Sequence, residues 1–108
     1  MSRYIVIMCT FGSRENATKV TKFLLESRLA ACVQLVPIES HYWWQEKIEN
    51  EKEILALIKT HMEKYQEIQN SITRLHTYQL PEITYFEISG GESQYLAWIG
   101  SSVSSGNI

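Results

Sequence analysis

A chain of 108 residues can bury roughly two-thirds of the surface its unfolded form exposes, so a single domain spanning 1–108 is expected to fold without disulfide staples. With 44% hydrophobic and 20% charged residues, it has the make-up of a globular protein and not of a disordered or fibrous one. A formal charge of −2 and a sequence pI near 5.9 remove the attraction on which non-specific nucleic-acid binding depends, and no nucleic-acid partner is expected.

Arg3 to Phe11 is nearly continuous in apolar and β-favouring residues, the pattern of a central strand covered on both faces. Gly12-Ser13 breaks it. With Ser13 as N-cap, Ala17, Val20 and Leu24 recur at helical spacing and predict an amphipathic helix ending near Leu29. A second strand begins at Ala30, and Pro37 within it points to a sheet edge or a bulge, because proline cannot donate to a ladder. This strand resumes through Tyr42-Trp43-Trp44, reverses at Gln45-Glu46-Lys47 and returns over Glu49 to Lys59, a hairpin with arms well beyond the usual length of about five or six residues. Alternation sends Tyr42 and Trp44 to one face and Trp43 to the other, so both faces are aromatic.

Thr60-His61-Met62-Glu63 fits a capping box, and Tyr65, Ile68, Ile72 and Leu75 then mark one face of a second helix. Pro81 closes the next loop, Ile83 to Ile88 reads as a fourth strand, and Gly90-Gly91 ends it. A short third helix with Tyr95, Leu96, Trp98 and Ile99 leads to a small-residue tail, about residues 100–108, expected to fray. The order strand, helix, strand, strand, helix, strand plus a terminal helix is the split βαβ arrangement of an α+β fold. It places both main helices on one face of a four-stranded antiparallel sheet and leaves the other face open. An open apolar face and an overlong aromatic hairpin predict oligomerisation through strands, with another copy of the chain as the simplest partner.

Cys9 and Cys32 each lie in an apolar run, where reduced, buried thiols are common. No N-terminal stretch has the pattern of a secretory signal, and Arg3 to Phe11 is too short to span a bilayer, so a cytoplasmic protein with no membrane partner is expected. Cys9, Cys32, His41, His61, His76 and several glutamates are candidate metal ligands, yet none stands in a Cys-x-x-Cys or His-x-x-x-His spacing. His76 differs from the rest because it opens the loop that runs through Tyr78 and Pro81 to Glu82, where an imidazole and a carboxylate can be aimed at one cleft. The plain alternative is a histidine that hydrogen-bonds the end of its helix. Either cysteine as nucleophile, with His76 as base, needs a lowered thiol pKa that apolar neighbours oppose, and no enzyme is expected. Glu46 to Glu53 reads as a solvated hairpin face and only secondarily as a cation-attracting surface, while Trp43 and Trp44 read as interface anchors.

Ala30-Ala31-Cys32-Val33, Tyr42-Trp43-Trp44, Lys59-Thr60, His76-x-Tyr78-x-x-Pro81-Glu82-Ile83 and Tyr95-Leu96-x-Trp98-Ile99 occur in register along nearly the whole chain. Together they resemble the CutA divalent-cation-tolerance family. The resemblance implies a ferredoxin-like protomer assembled through its strands into a homotrimer, with Tyr42, Trp43 and Trp44 at the interface. It also implies a link to divalent cation tolerance, with no established reaction and no organic cofactor. Carried over residue by residue, it implies Cys9, His76 and Glu82 as ligands for copper(II) or another divalent metal. A thiolate and an imidazole suit copper or zinc better than magnesium or calcium. Leu75 stands where some relatives carry a second histidine, and Gln79 where glutamate is frequent, which implies a weaker site; Glu46 takes a turn position where glycine is common. The alternative reading is a trimeric signalling module that holds a small anionic metabolite in clefts between subunits, using Cys32, Lys59 and Tyr78 beside His76.

Overall fold

The structure is a computed structural model that describes residues 3–104. Its elements are β1 (Tyr4–Phe11), α1 (Arg14–Glu26), β2 (Cys32–Trp44), β3 (Lys47–His61), α2 (Tyr65–Leu75), β4 (Ile83–Glu87) and α3 (Ser93–Val103). The four strands form one antiparallel sheet in the order β2-β3-β1-β4. The α+β fold expected from the element order is the one observed.

Alternate residues of β1, namely Ile5, Ile7, Cys9 and Phe11, are buried with Ala17, Val20 and Leu24 of α1 and Ile68 and Ile72 of α2. This is the main core, and it places α1 and α2 on one face of the sheet. Ser13 caps α1, its Oγ accepting the Asn16 N–H at 3.1 Å. The helix stops short of Leu29 because Arg28 turns left-handed, with φ 61°, and both the Leu29 and Ala30 N–H groups close onto the Leu24 carbonyl. That reversal returns Leu29 and Ala30 to the core. Pro37 lies on β2, an outer strand of the sheet, as its missing donor requires.

Three expectations are corrected. Thr60 is not a helix cap. It is the penultimate residue of β3, fully buried, and its Oγ1 donates to the Leu29 carbonyl at 2.6 Å. His61 takes the capping role instead, its Nδ1 accepting the Glu63 N–H ahead of a single 3-10 turn, Met62–Lys64. The tail does not begin at residue 100: α3 continues to Val103, because Ile99 and Val103 are both buried. The rest of the expected tail, 105–108, lies outside the described residues. Finally, the second sheet face is not wholly open. Lys59 and Tyr4 point away from the main core, and α3 meets both, through the Tyr95 hydroxyl on the Lys59 ammonium and the backbone of Gly100 against the Tyr4 ring.

Trp44 pairs with Lys47, leaving a two-residue turn in which Gln45 and Glu46 both have positive φ, 50° and 68°. A right-twisted hairpin demands such a turn. At about 3.3 Å per residue, β3 spans most of the molecule's 48 Å length, and the hairpin extends past the end of β1.

Candidate functional site

The segments that carry the three residues expected as ligands lie near the end of β1. Cys9 pairs in register with Ile83, the residue after Glu82, and His76 reaches the neighbouring Thr10 carbonyl with its Nε2 at 2.8 Å. The other ring nitrogen, Nδ1, accepts the Tyr78 N–H at 3.0 Å, and the Phe11 ring stacks flat on the imidazole with centroids 4.5 Å apart. Both nitrogens are therefore engaged, and the neutral ring with its proton on Nε2 is the form that satisfies both contacts. Burial lowers the His76 pKa, against the raising influence of the Thr10 carbonyl and the Glu53 carboxylate. Cys9 is fully buried and its thiol is pushed up to about 12, first by desolvation and then by the Glu82 and Glu53 charges. A thiol so placed is a weak nucleophile at neutral pH. Glu82 is exposed. Among the described residues, no three His, Cys, Asp or Glu side chains converge as a ready metal site.

Asn16 holds this end together. Its Nδ2 donates to the Leu75 carbonyl at 3.1 Å and its Oδ1 accepts the Thr77 N–H at 3.3 Å, tying the first turn of α1 to the end of α2 and the loop beyond. The loop then carries Tyr78 past Gly12, so close that a Cβ there would stand 2.9 Å from the phenol oxygen. The Tyr78 hydroxyl donates to Glu53 Oε2 at 2.6 Å, and both burial and that carboxylate raise the phenol's pKa.

Between this loop and the hairpin lies a groove of about 910 Å³, lined by Glu49, Glu51, Glu53 and Glu82 with Tyr42, Trp44 and Tyr78 among others. Among the described residues no lysine or arginine lines it. The Tyr42 hydroxyl donates to Glu51 Oε1 at 2.7 Å, which pushes the phenol's pKa up to about 12. On the opposite face of the hairpin, Trp43 and its cross-strand partner Ile48 are 72% and 68% exposed.

The remaining expected cleft residues are split. Cys32 and Lys59 face each other across β2 and β3, and the Lys59 ammonium sits 5.3 Å from the centre of the Tyr95 ring. Tyr78 binds Glu53, six residues back along β3, so Lys59 and Tyr78 are roughly 20 Å apart within one protomer. Glu53 and Asn16 are the members of the site that sequence reasoning missed. Period-two spacing of Glu49, Glu51 and Glu53 opposite Tyr42 was a usable signal for a shared face; nothing local marked Asn16.

Comparison with known proteins gives a consistent result. The model of a family described as CutA1 divalent ion tolerance protein matches residues 5–102. The divalent-cation tolerance protein CutA of Archaeoglobus fulgidus is 39% identical over 97 residues, which cover 90% of this chain and 95% of that protein. A solved structure described as the periplasmic divalent cation tolerance protein CutA from the same organism superposes with a TM-score of 0.91 at 38% identity, covering 94% of this chain and 99% of that one. The chloroplastic protein CutA of Arabidopsis thaliana is 35% identical over 99 residues, 91% of this chain and 54% of that protein. These descriptions overturn the cytoplasmic expectation, since reduced thiols and ordinary composition are compatible with relatives named for the periplasm and the chloroplast. Among the described residues no helix is long and apolar enough to cross a membrane. With a match over nearly its full length in both sequence and fold, the chain belongs to the CutA1 divalent ion tolerance protein family.

Proposed function

We propose that the protein acts in divalent cation tolerance by binding the ion itself, as a homotrimer, with Cys9, His76 and Glu82 as donors for copper(II) or a similar borderline metal. What supports this reading is that the segments carrying the three residues lie near one end of β1: Cys9 pairs in register with the residue after Glu82, and His76 bonds the neighbouring Thr10 carbonyl. The ion has to displace a proton from Cys9 and draw one His76 nitrogen from its present partner, so resting affinity is modest and rises with pH. Glu82, already exposed, supplies the entry point. The trimer is attributed to the hairpin, whose Trp43 and Ile48 form a large uncovered apolar pair beside Tyr42 and Trp44. The anionic-metabolite reading fares worse, because four glutamates line the groove beside Tyr78 and, among the described residues, no lysine or arginine does.

Calorimetric titration with copper(II) tests the assignment. About one site per chain is expected, weakened roughly tenfold or more by His76→Ala and by Cys9→Ser, with proton release that varies with buffer. His41→Ala and His61→Ala serve as controls for surface imidazoles. An isotherm unchanged in the His76 and Cys9 variants eliminates the site.

A further inference from the structure

Glu53 is a carboxylate without a counter-charge. It is only 7% exposed, and among the described residues no lysine, arginine or histidine nitrogen pairs with it. Its Oε2 accepts the Tyr78 hydroxyl, while Oε1 has no hydrogen-bond partner among those residues. Because no fully enclosed polar atom is left orphaned, Oε1 keeps its opening onto the groove that Glu53 lines. An ionised carboxylate buried this far is costly unless a cation completes it.

Glu51 and Glu49 follow on the same strand face, each two residues further along β3 and so about 7 Å from the last. Tyr42 and Trp44 project to that face from β2, and the Tyr42 hydroxyl fixes the Glu51 carboxylate as Tyr78 fixes Glu53. Lys47, the next residue on this face beyond Glu49, makes no ion pair among the described residues. A single metal ion needs its donors within about 2.0–2.6 Å of one point, which a row of carboxylates strung along a strand does not offer. The row fits a row of cations instead. Ammonium groups joined by short methylene chains repeat on the same length scale, their N–H donors match the carboxylates, and the carbon chain and the charges both find aromatic faces. We propose that the groove binds a linear protonated polyamine, with one ammonium completing Glu53 and the next held by Glu51. The proposal assigns no ammonium to Cys9, His76 or Glu82, although Glu82 lines the same groove, and it does not rest on the ion site.

The test uses the full chain in its native assembly, titrated at neutral pH and low salt with spermidine, 1,4-diaminobutane and n-butylamine. Affinity is expected to fall about tenfold at each lost ammonium, and Glu51→Gln and Glu53→Gln are each expected to weaken spermidine about tenfold or more. The comparison variant Glu15→Gln/Glu26→Gln removes two charges from exposed positions on α1 and is expected to change affinity less than about threefold. Equal affinity for the three amines overturns the proposal, as does an α1 variant that weakens spermidine as much as the groove variants do, because either result means generic attraction to a negative surface. Glu53 is buried and its variant is the one at risk of misfolding. A folded Glu51→Gln protein with unchanged spermidine affinity therefore suffices to sink the assignment.

Discussion

His76 is neutral in this fold for a geometric reason: a proton on Nδ1 would face the Tyr78 N–H that now donates to it. Burial lowers its pKa, so the folded protein takes up that proton less readily than the unfolded chain, which does so near 6.5. The stabilisation is therefore present above pH 6.5 and is lost as the pH falls below it. Urea midpoints measured between pH 7.5 and 5.5 should drop for the native sequence and change less for His76→Gln. Cys9 has the opposite window. Its thiol pKa is raised from 9.0 to about 12, so the native state loses stability as the pH climbs beyond 9.0, where the unfolded thiol ionises first. Iodoacetamide at pH 8 should accordingly label Cys9 slowly in the folded protein and fast in urea. Thr60 is a simpler case. Thr60→Val strips the buried Leu29 carbonyl of its hydroxyl donor and should cost about 1–3 kcal/mol in urea denaturation, largely recovered by Thr60→Ser.

At the scale of elements, periodicity located every strand and helix, while the ends of α1, β3 and α3 differed because packing set them. α1 stops early since the Leu24 carbonyl captures two N–H groups of the chain turning back into the core. The pattern Thr60-x-x-Glu63 has the form of a capping box, but β3 continues one residue further to pair His61 with Tyr4, and the threonine is drawn inward. The hairpin turn carries two side chains in left-handed backbone, a conformation that costs non-glycine residues about 1–2 kcal/mol each. Replacing Gln45-Glu46 by Asn-Gly should raise the thermal midpoint, and an unchanged midpoint would show that the strain is relieved elsewhere. Asn16→Ala should detach the loop after α2 from α1, costing about 2 kcal/mol and increasing amide exchange at Thr77 and Tyr78.

The whole molecule is an elongated body, 48 × 26 × 21 Å, whose long hairpin presents exposed tryptophans. Exposed apolar patches of this kind mark interaction surfaces. Sedimentation should give a mass of three chains for the native sequence, and Trp43→Ser/Ile48→Ser should shift it towards one chain while leaving the far-ultraviolet circular dichroism intact. A native protein that sediments as a single chain at micromolar concentration removes the homotrimer. The same measurement bears on the groove, whose lining includes Tyr42, Trp43 and Trp44 of the hairpin.

Alternation and helical spacing in the sequence determined which residues form strands and helices, the sheet that α1 and α2 cover, and the hairpin's two aromatic faces, because these depend on neighbours a few positions apart. The loop from His76 to Glu82 was also legible as a candidate site, since an imidazole, a phenol and a carboxylate occur together in it. Glu53 was not. In sequence it is one of several glutamates in a charged stretch, and only the passage of Tyr78 across the end of β1 buries it and gives it a partner 25 positions away. The fold likewise decided that α3 packs on the sheet face that seemed free, through contacts of Tyr95 and Gly100 with residues far upstream. Local pattern reports which side of an element is apolar; what that side meets is fixed by long-range closure of the chain.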